Sequence, residues 1–171
     1  MSSSPFHAYD IRGRLGKEFT VEDFAEYAVH VASLFGGEKG VCIGRDVRAT
    51  SPTLYQKCLE HVRRAVDFPL YAVGVCTTPQ LYFSHWHLGL EASMMITASH
   101  NPPEYNGLKV TGKEGRPIGY ADGLKEVEAR ILQGMHLAGV AAPREVIEVD
   151  TRAAYLDFLK QFSSEDRKSV V

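Results

Sequence analysis

The chain has 171 residues, 44% hydrophobic and 23% charged, with 19 basic against 21 acidic side chains and a formal charge of -2. This is the make-up of one globular domain with a little chain to spare, able to bury roughly 70% of its unfolded surface without disulfide or structural metal. A large multidomain enzyme does not fit in this length, and the charge balance gives no bulk electrostatic case for nucleic acid or an anionic membrane as partner.

The first patterned stretch, Phe6 to Gly16, alternates apolar and aromatic residues and places Arg12 just before Gly13. It reads as an edge hairpin aiming Arg12 at an anion such as phosphate, or more plainly as a surface ion pair between Asp10 and Arg12. Thr20 to Phe35 follows as an amphipathic helix, with Thr20 as N-cap, Phe24, Ala28, Val31 and Phe35 on one face and Gly36-Gly37 as the stop. Val41-Cys42-Ile43 is a short buried strand, after which Ser51-Pro52 supplies an N-cap and an N1 proline for a helix reaching about Val66. Leu70 to Val75 is the next strand, Thr78-Pro79 opens a helix to about Leu88, and Ser93 to Thr97 is again a strand. Leu108 to Thr111 is close enough to that strand to pair with it antiparallel, and Ala121 to Leu132 is a helix ended by Gly134. This alternation argues for a three-layer α/β/α domain with a mixed, mostly parallel sheet. Gly134 to Thr151, centred on Ala141-Ala142-Pro143, reads as a linker or domain boundary, so that 1–140 is one domain and 141–171 the start of another. A last helix, about Thr151 to Phe162, precedes Arg167 to Val171, which resembles the first step of a strand.

Three cysteines, Cys42, Cys58 and Cys76, are odd in number and form no Cys-x-x-Cys pair, so neither a disulfide framework nor a zinc site is expected and a reducing cytoplasm is. The N-terminus lacks the basic and apolar regions of an export signal, and no run approaches the roughly 18 apolar residues of a membrane span. His85 and His87, two apart on a helix, face different ways and cannot share a metal, while Tyr82 and Trp86 read as core or boundary residues.

The stretch richest in chemistry runs from Thr97 through Ser99-His100-Asn101-Pro102-Pro103 to Asn106-Gly107-Leu108-Lys109. It leaves the apolar strand Met94-Met95-Ile96 at the end where such sheets bind ligands, Pro102 holds Asn101 out of the α region, and Asn106-Gly107 permits a tight reversal bringing Lys109 back beside Ser99. A serine hydroxyl is a weak nucleophile unless a base, a metal or a prior modification helps it. Adjacent residues on an extended loop point apart, which disfavours a Ser-His hydrolase. A phosphoserine fits better: a phosphoryl group on Ser99 carries nearly two negative charges, which His100, Asn101, Lys109 and a divalent metal can meet. Gly44-Arg45-Asp46-Val47-Arg48, before the helix that opens at Ser51, either receives an anion at that helix N-terminus or holds a structural Arg45–Asp46 pair pinning the loop, and the second reading is preferred.

Taken together, Tyr9-Asp10-Ile11-Arg12-Gly13, Gly44-Arg45-Asp46 and the Thr97 to Lys109 stretch resemble the α-D-phosphohexomutase superfamily, bacterial phosphomannomutase/phosphoglucomutase above all. The resemblance covers roughly Phe6 to Thr111 and implies that the chain carries that family's first domain. It implies that Ser99 is the phosphoryl carrier, giving its phosphoryl to a hexose monophosphate and recovering one from the reoriented bisphosphate. A phosphate oxygen on Ser99 would then bind Mg²⁺, Lys109 and His100 would serve proton transfer and charge stabilisation, and Tyr9, Arg12, Asn101 and Lys109 would meet substrate. The family's Asp-x-Asp-x-Asp-Arg metal loop and its sugar-recognition loops belong to later domains, and no Asp-x-Asp occurs here. The resemblance therefore implies a fragment without mutase activity of its own. Phosphoglucosamine mutase and a non-catalytic phosphosugar-binding domain are the alternatives.

Overall fold

The computed structural model describes residues 4–137 and 139–162. In chain order the elements are β1 (Ile11–Arg14), α1 (Val21–Phe35), β2 (Val41–Arg45), α2 (Ser51–Ala65), β3 (Leu70–Val75), α3 (Thr78–His87), β4 (Ala92–Ile96), β5 (Tyr105–Thr111), β6 (Pro117–Ile118), α4 (Lys125–Leu132), β7 (Val146–Glu148) and α5 (Arg152–Lys160). The sheet runs β1-β5-β4-β2-β3-β7, with β6 also on β5. Strands β4, β2, β3 and β7 are parallel neighbours, while β5 is antiparallel to both β4 and β1.

The central strands are apolar without alternation because both their faces are covered. On β4, Met94 and Ile96 enter a core shared with Phe24 and Val31 of α1, Leu54 of α2 and Val127 of α4, whereas Met95 enters a smaller core with Cys42, Cys76 and Leu81 beneath α3. Helices on both faces give the expected three layers. Helix α1 starts on a capping box, the Asp23 amide donating to Thr20 Oγ1 and the Thr20 amide to Asp23 Oδ2, at 3.1 and 2.8 Å. The three cysteines are buried and unpaired, and burial pushes the Cys76 thiol up to about 11. No helix among the described residues is long and apolar enough to cross a membrane.

Three expectations change. Residues 134–151 are not a free linker: the Val140 and Arg144 amides donate to the Arg64 and Arg63 carbonyls at 2.8 and 3.0 Å, closing the end of α2, and the next residues form β7 in register with β3. The sheet therefore extends past the boundary expected at residue 140. Ser51 does not cap α2; Thr50 is the N-cap residue, and the Ser51 hydroxyl goes to Asp46. Tyr82 and Trp86, expected in the core or at its boundary, are exposed, Trp86 at 67% while leaning on Phe158 of α5 at a ring separation of 5.9 Å. The strand expected over Arg167 to Val171 lies outside the described residues.

Two buried histidines set a pH limit on this core. His30 donates Nε2–H to the Met135 carbonyl at 2.9 Å, and its Nδ1, like that of His85, is buried without a partner. Burial lowers both from their ordinary value of 6.5, so the folded state binds fewer protons than the unfolded chain below that pH. Stability is fully present above 6.5 and falls as the pH drops through the lowered values. Thermal melts should show a constant midpoint from pH 7.5 to about 6.5 and a decreasing one from there to pH 5; a flat profile over the lower range would refute this.

Candidate active site

Strand β4 ends where the chain turns into the serine loop. The Thr97 amide donates to the Gly107 carbonyl at 2.9 Å, tying the loop's start to β5, and Thr97 Oγ1 accepts from the Ser99 amide at 3.0 Å. Asn101 doubly closes the turn, its backbone and side-chain amides both donating to the Ala98 carbonyl at 3.0 Å, and the Tyr105 amide donates to Pro102 at 3.0 Å. Within this frame Ser99 takes φ of 56°, the left-handed region that costs a non-glycine residue about 1 to 2 kcal/mol and persists only where neighbours over-determine it. The turn at Ser99 reverses one expectation. Ser99 Oγ and His100 Nδ1 do not point apart but lie 3.4 Å from each other, both side chains at the surface. That separation is too long for a tight nucleophile–base bond.

The reversal expected at Asn106-Gly107 lies earlier, at residues 99–104, and Asn106 and Gly107 are inside β5. Gly107 pairs with Arg12 of β1, so Thr97, just past β4, lies in one row with Gly107 and Arg12. Asp10, only 3% exposed, accepts from both Arg12 and Lys109, the latter at 3.1 Å. The ion pair that the sequence left as a plain surface contact is thus a buried carboxylate shared by two cations, each about a quarter exposed at 23 and 26%. One positive charge is left over, suited to an anion at the open face. Tyr9 stands next to this cluster, 83% exposed.

Asp46 has a different partner from the one expected. Its carboxylate receives Arg48 Nε at 3.1 Å, together with the Ser51 and Thr97 hydroxyls at 2.5 and 2.7 Å. Arg45 donates to the Asp46 carbonyl and lies over the Tyr55 ring. The anion at the start of α2 is the chain's own Asp46. On the far side, Arg14 stacks over Tyr105 and holds Glu18 down at about 2 through side-chain and backbone hydrogen bonds. Beside the loop a crevice of about 380 Å³ opens at the carboxyl ends of β2, β3 and β4, lined by Asp46, Val47, Val75, Thr77 and Thr97. A larger groove of about 760 Å³ along α2 and β7 contains none of the loop residues and has no bearing on them.

No group of three metal-ligating side chains occurs among the described residues, and Asp10 and Asp46 are already engaged. These residues do not build a Mg²⁺ site.

A family model described as phosphoglucomutase/phosphomannomutase, alpha/beta/alpha domain I, matches residues 3–137. The chain belongs to the phosphoglucomutase/phosphomannomutase family. A phosphomannomutase of Salmonella typhimurium is 36% identical over 162 residues, and proteins named phosphohexose mutases in Xanthomonas campestris pv. campestris are 36% identical over 163. The match covers 93% and 95% of this chain but 35% and 36% of those relatives, so the chain spans about a third of their length. Among solved structures, a phosphoglucomutase/phosphomannomutase family protein of Burkholderia thailandensis superposes with a TM-score of 0.75 at 26% identity, over 92% of this chain and 35% of that one. A protein from Thermus thermophilus described as a phosphomannomutase gives 0.75 at 28%, over 96% and 37%. All the site residues named from the sequence fall within the family match.

Proposed function

We propose that this chain is the phosphoryl-carrying domain of a phosphohexose mutase, with Ser99 as the carrier. The observation that carries the reading is Ser99 in the loop that follows β4, exposed and held in a left-handed turn, two residues beyond Thr97, whose row across Gly107 presents Arg12 and, through Asp10, Lys109. In the forward step the bond between phosphorus and Ser99 Oγ breaks as one forms to a hexose hydroxyl oxygen, whose proton passes by way of His100 or Lys109 to the serine oxygen released; the return step rephosphorylates Ser99 from the bisphosphate and moves the proton back. Such a transfer is driven by positioning and charge stabilisation, the work of Arg12, Lys109 and His100. Asn101, with one side-chain N–H committed to the loop, keeps its second N–H and its amide oxygen for substrate; Tyr9, next to Asp10 in the chain, offers an exposed ring and hydroxyl. Mg²⁺ would neutralise the phosphate, its remaining ligands coming from outside these residues. Three unpaired cysteines favour the cytoplasm.

Intact-mass measurement after incubation with glucose, mannose or glucosamine 1,6-bisphosphate tests this. One phosphoryl group on Ser99, absent in Ser99→Ala, is the expected result. No phosphate, with saturable binding by calorimetry, would replace the carrier by a phosphosugar-binding domain; label retained in Ser99→Ala would remove Ser99 from the chemistry. The isolated chain should not turn over hexose phosphates, and measurable mutase activity would refute its incompleteness.

A further inference from the structure

We propose that Arg48 is the positioning residue of the serine loop, holding residues 99–105 in the shape that presents Ser99. Its functional reach rests on Ser99 being the phosphoryl carrier; its structural content does not. Arg48 Nη2 donates to the Ser99 and Asn101 carbonyls, both at 2.8 Å, and Nη1 to Pro102 and Tyr105 at 2.8 and 3.1 Å. With Nε on Asp46, every N–H of the guanidinium is used. No donor is left over for a substrate anion, so Arg48 acts through the loop and not on the ligand.

The need for such a group follows from the loop's own chemistry. Pro102 and Pro103 have no amide hydrogens, and the left-handed turn at Ser99 brings four carbonyl oxygens to one side. Without a cation among them these dipoles repel, and Ser99 is free to leave its strained conformation. The clamp is itself fixed: Asp46 Oδ1 accepts the Arg48 amide at 3.0 Å, Asp46 Oδ2 accepts from Thr97 Oγ1, and Thr97 Oγ1 accepts the Ser99 amide, closing a ring of contacts from Asp46 through Ser99 to Arg48 and back. Both side chains are mostly buried, at 14 and 21% exposure. Lysine cannot substitute, since its compact ammonium lacks the planar fork that reaches four acceptors at once.

The test uses this chain with Arg48→Lys and Arg48→Met, read by amide hydrogen exchange and by the backbone chemical shifts of Ser99. In Arg48→Lys the Asn101 and Tyr105 amides should exchange about tenfold faster or more, and the Ser99 shifts should move toward ordinary extended backbone, while amides of β2 and β4 keep their protection. Phosphate uptake by Ser99 from a hexose bisphosphate should fall by about tenfold alongside. Unchanged loop exchange and shifts in Arg48→Lys overturn the proposal, because charge alone would then suffice. Loss of protection throughout β2 and β4 in Arg48→Lys also overturns it, since Arg48 would then support the whole fold; Arg48→Met, if it folds, should show the larger loop effect. If the unaltered chain takes up no phosphate, the carrier reading fails while the exchange data still decide the role of Arg48.

Discussion

Replacing Asp10 with alanine should cost about 3 kcal/mol of stability, the lower end of what breaking a buried ion pair removes. The carboxylate is 3% exposed and is the shared partner of Arg12 and Lys109, so its loss leaves two cations facing each other with no counter-charge. The lower end applies because both cations keep about a quarter of their surface in water and can be partly rehydrated. For a domain of this size the melting temperature should drop by about 6 to 12 °C. Added inorganic phosphate or sulfate should restore part of the loss, since either anion can take the vacated place between the cations. A denaturant-measured loss below about 1 kcal/mol would show that the cations do not depend on Asp10. Equal stabilisation of the unaltered chain and Asp10→Ala by phosphate would show that no such anion place forms.

The part of this protein that was legible in its sequence is the part encoded by local pattern. An apolar run between two glycines gave β2, the apolar Met94-Met95-Ile96 gave β4, Thr20 and the Thr78-Pro79 pair gave the starts of α1 and α3, and the Ser-His-Asn-Pro loop stood out because it sets a hydroxyl, an imidazole and an amide together at a strand's end. What remained hidden depends on contacts between segments far apart in the chain. Arg48 is within a run that drew attention for its Arg45 and Asp46, yet its partners are backbone carbonyls about fifty residues away, and backbone acceptors have no side-chain signature. The Asp10–Lys109 pair is hidden in the same way, being made only when β1 lies beside β5. Strand β7 was missed because three residues in a Gly, Ala and Pro-rich stretch carry too little periodicity to be read. The Ser99–His100 contact went unforeseen because an extended loop was assumed where a left-handed residue bends the chain.

Gly107→Ala should be as damaging as Asp10→Ala, for a reason unrelated to conformational freedom. A Cβ at this position would be driven into hard contact with the Ile11 carbonyl oxygen, and would lie 3.1 Å from that of Thr97 and 3.3 Å from Arg12 Cα. These are backbone atoms of two flanking segments, so no side chain can swing aside; either β1 or the start of the serine loop must move. Overpacking of this kind costs about 3 kcal/mol, and the displaced segments carry Arg12 on one side and Ser99 on the other. Gly89→Ala is the informative control. Gly89 has φ of 64° with nothing within 4 Å, so alanine there meets conformational strain alone, about 1 kcal/mol. Urea midpoints should therefore rank Gly107→Ala well below Gly89→Ala, and phosphate uptake on Ser99 should fall only in the former. Equal midpoints would mean that the methyl group at Gly107 costs no more than the conformational strain at Gly89, so that β1 and the start of the serine loop give way to it. The row from Thr97 through Gly107 to Arg12 would then not fix the distance between the serine loop and its cations.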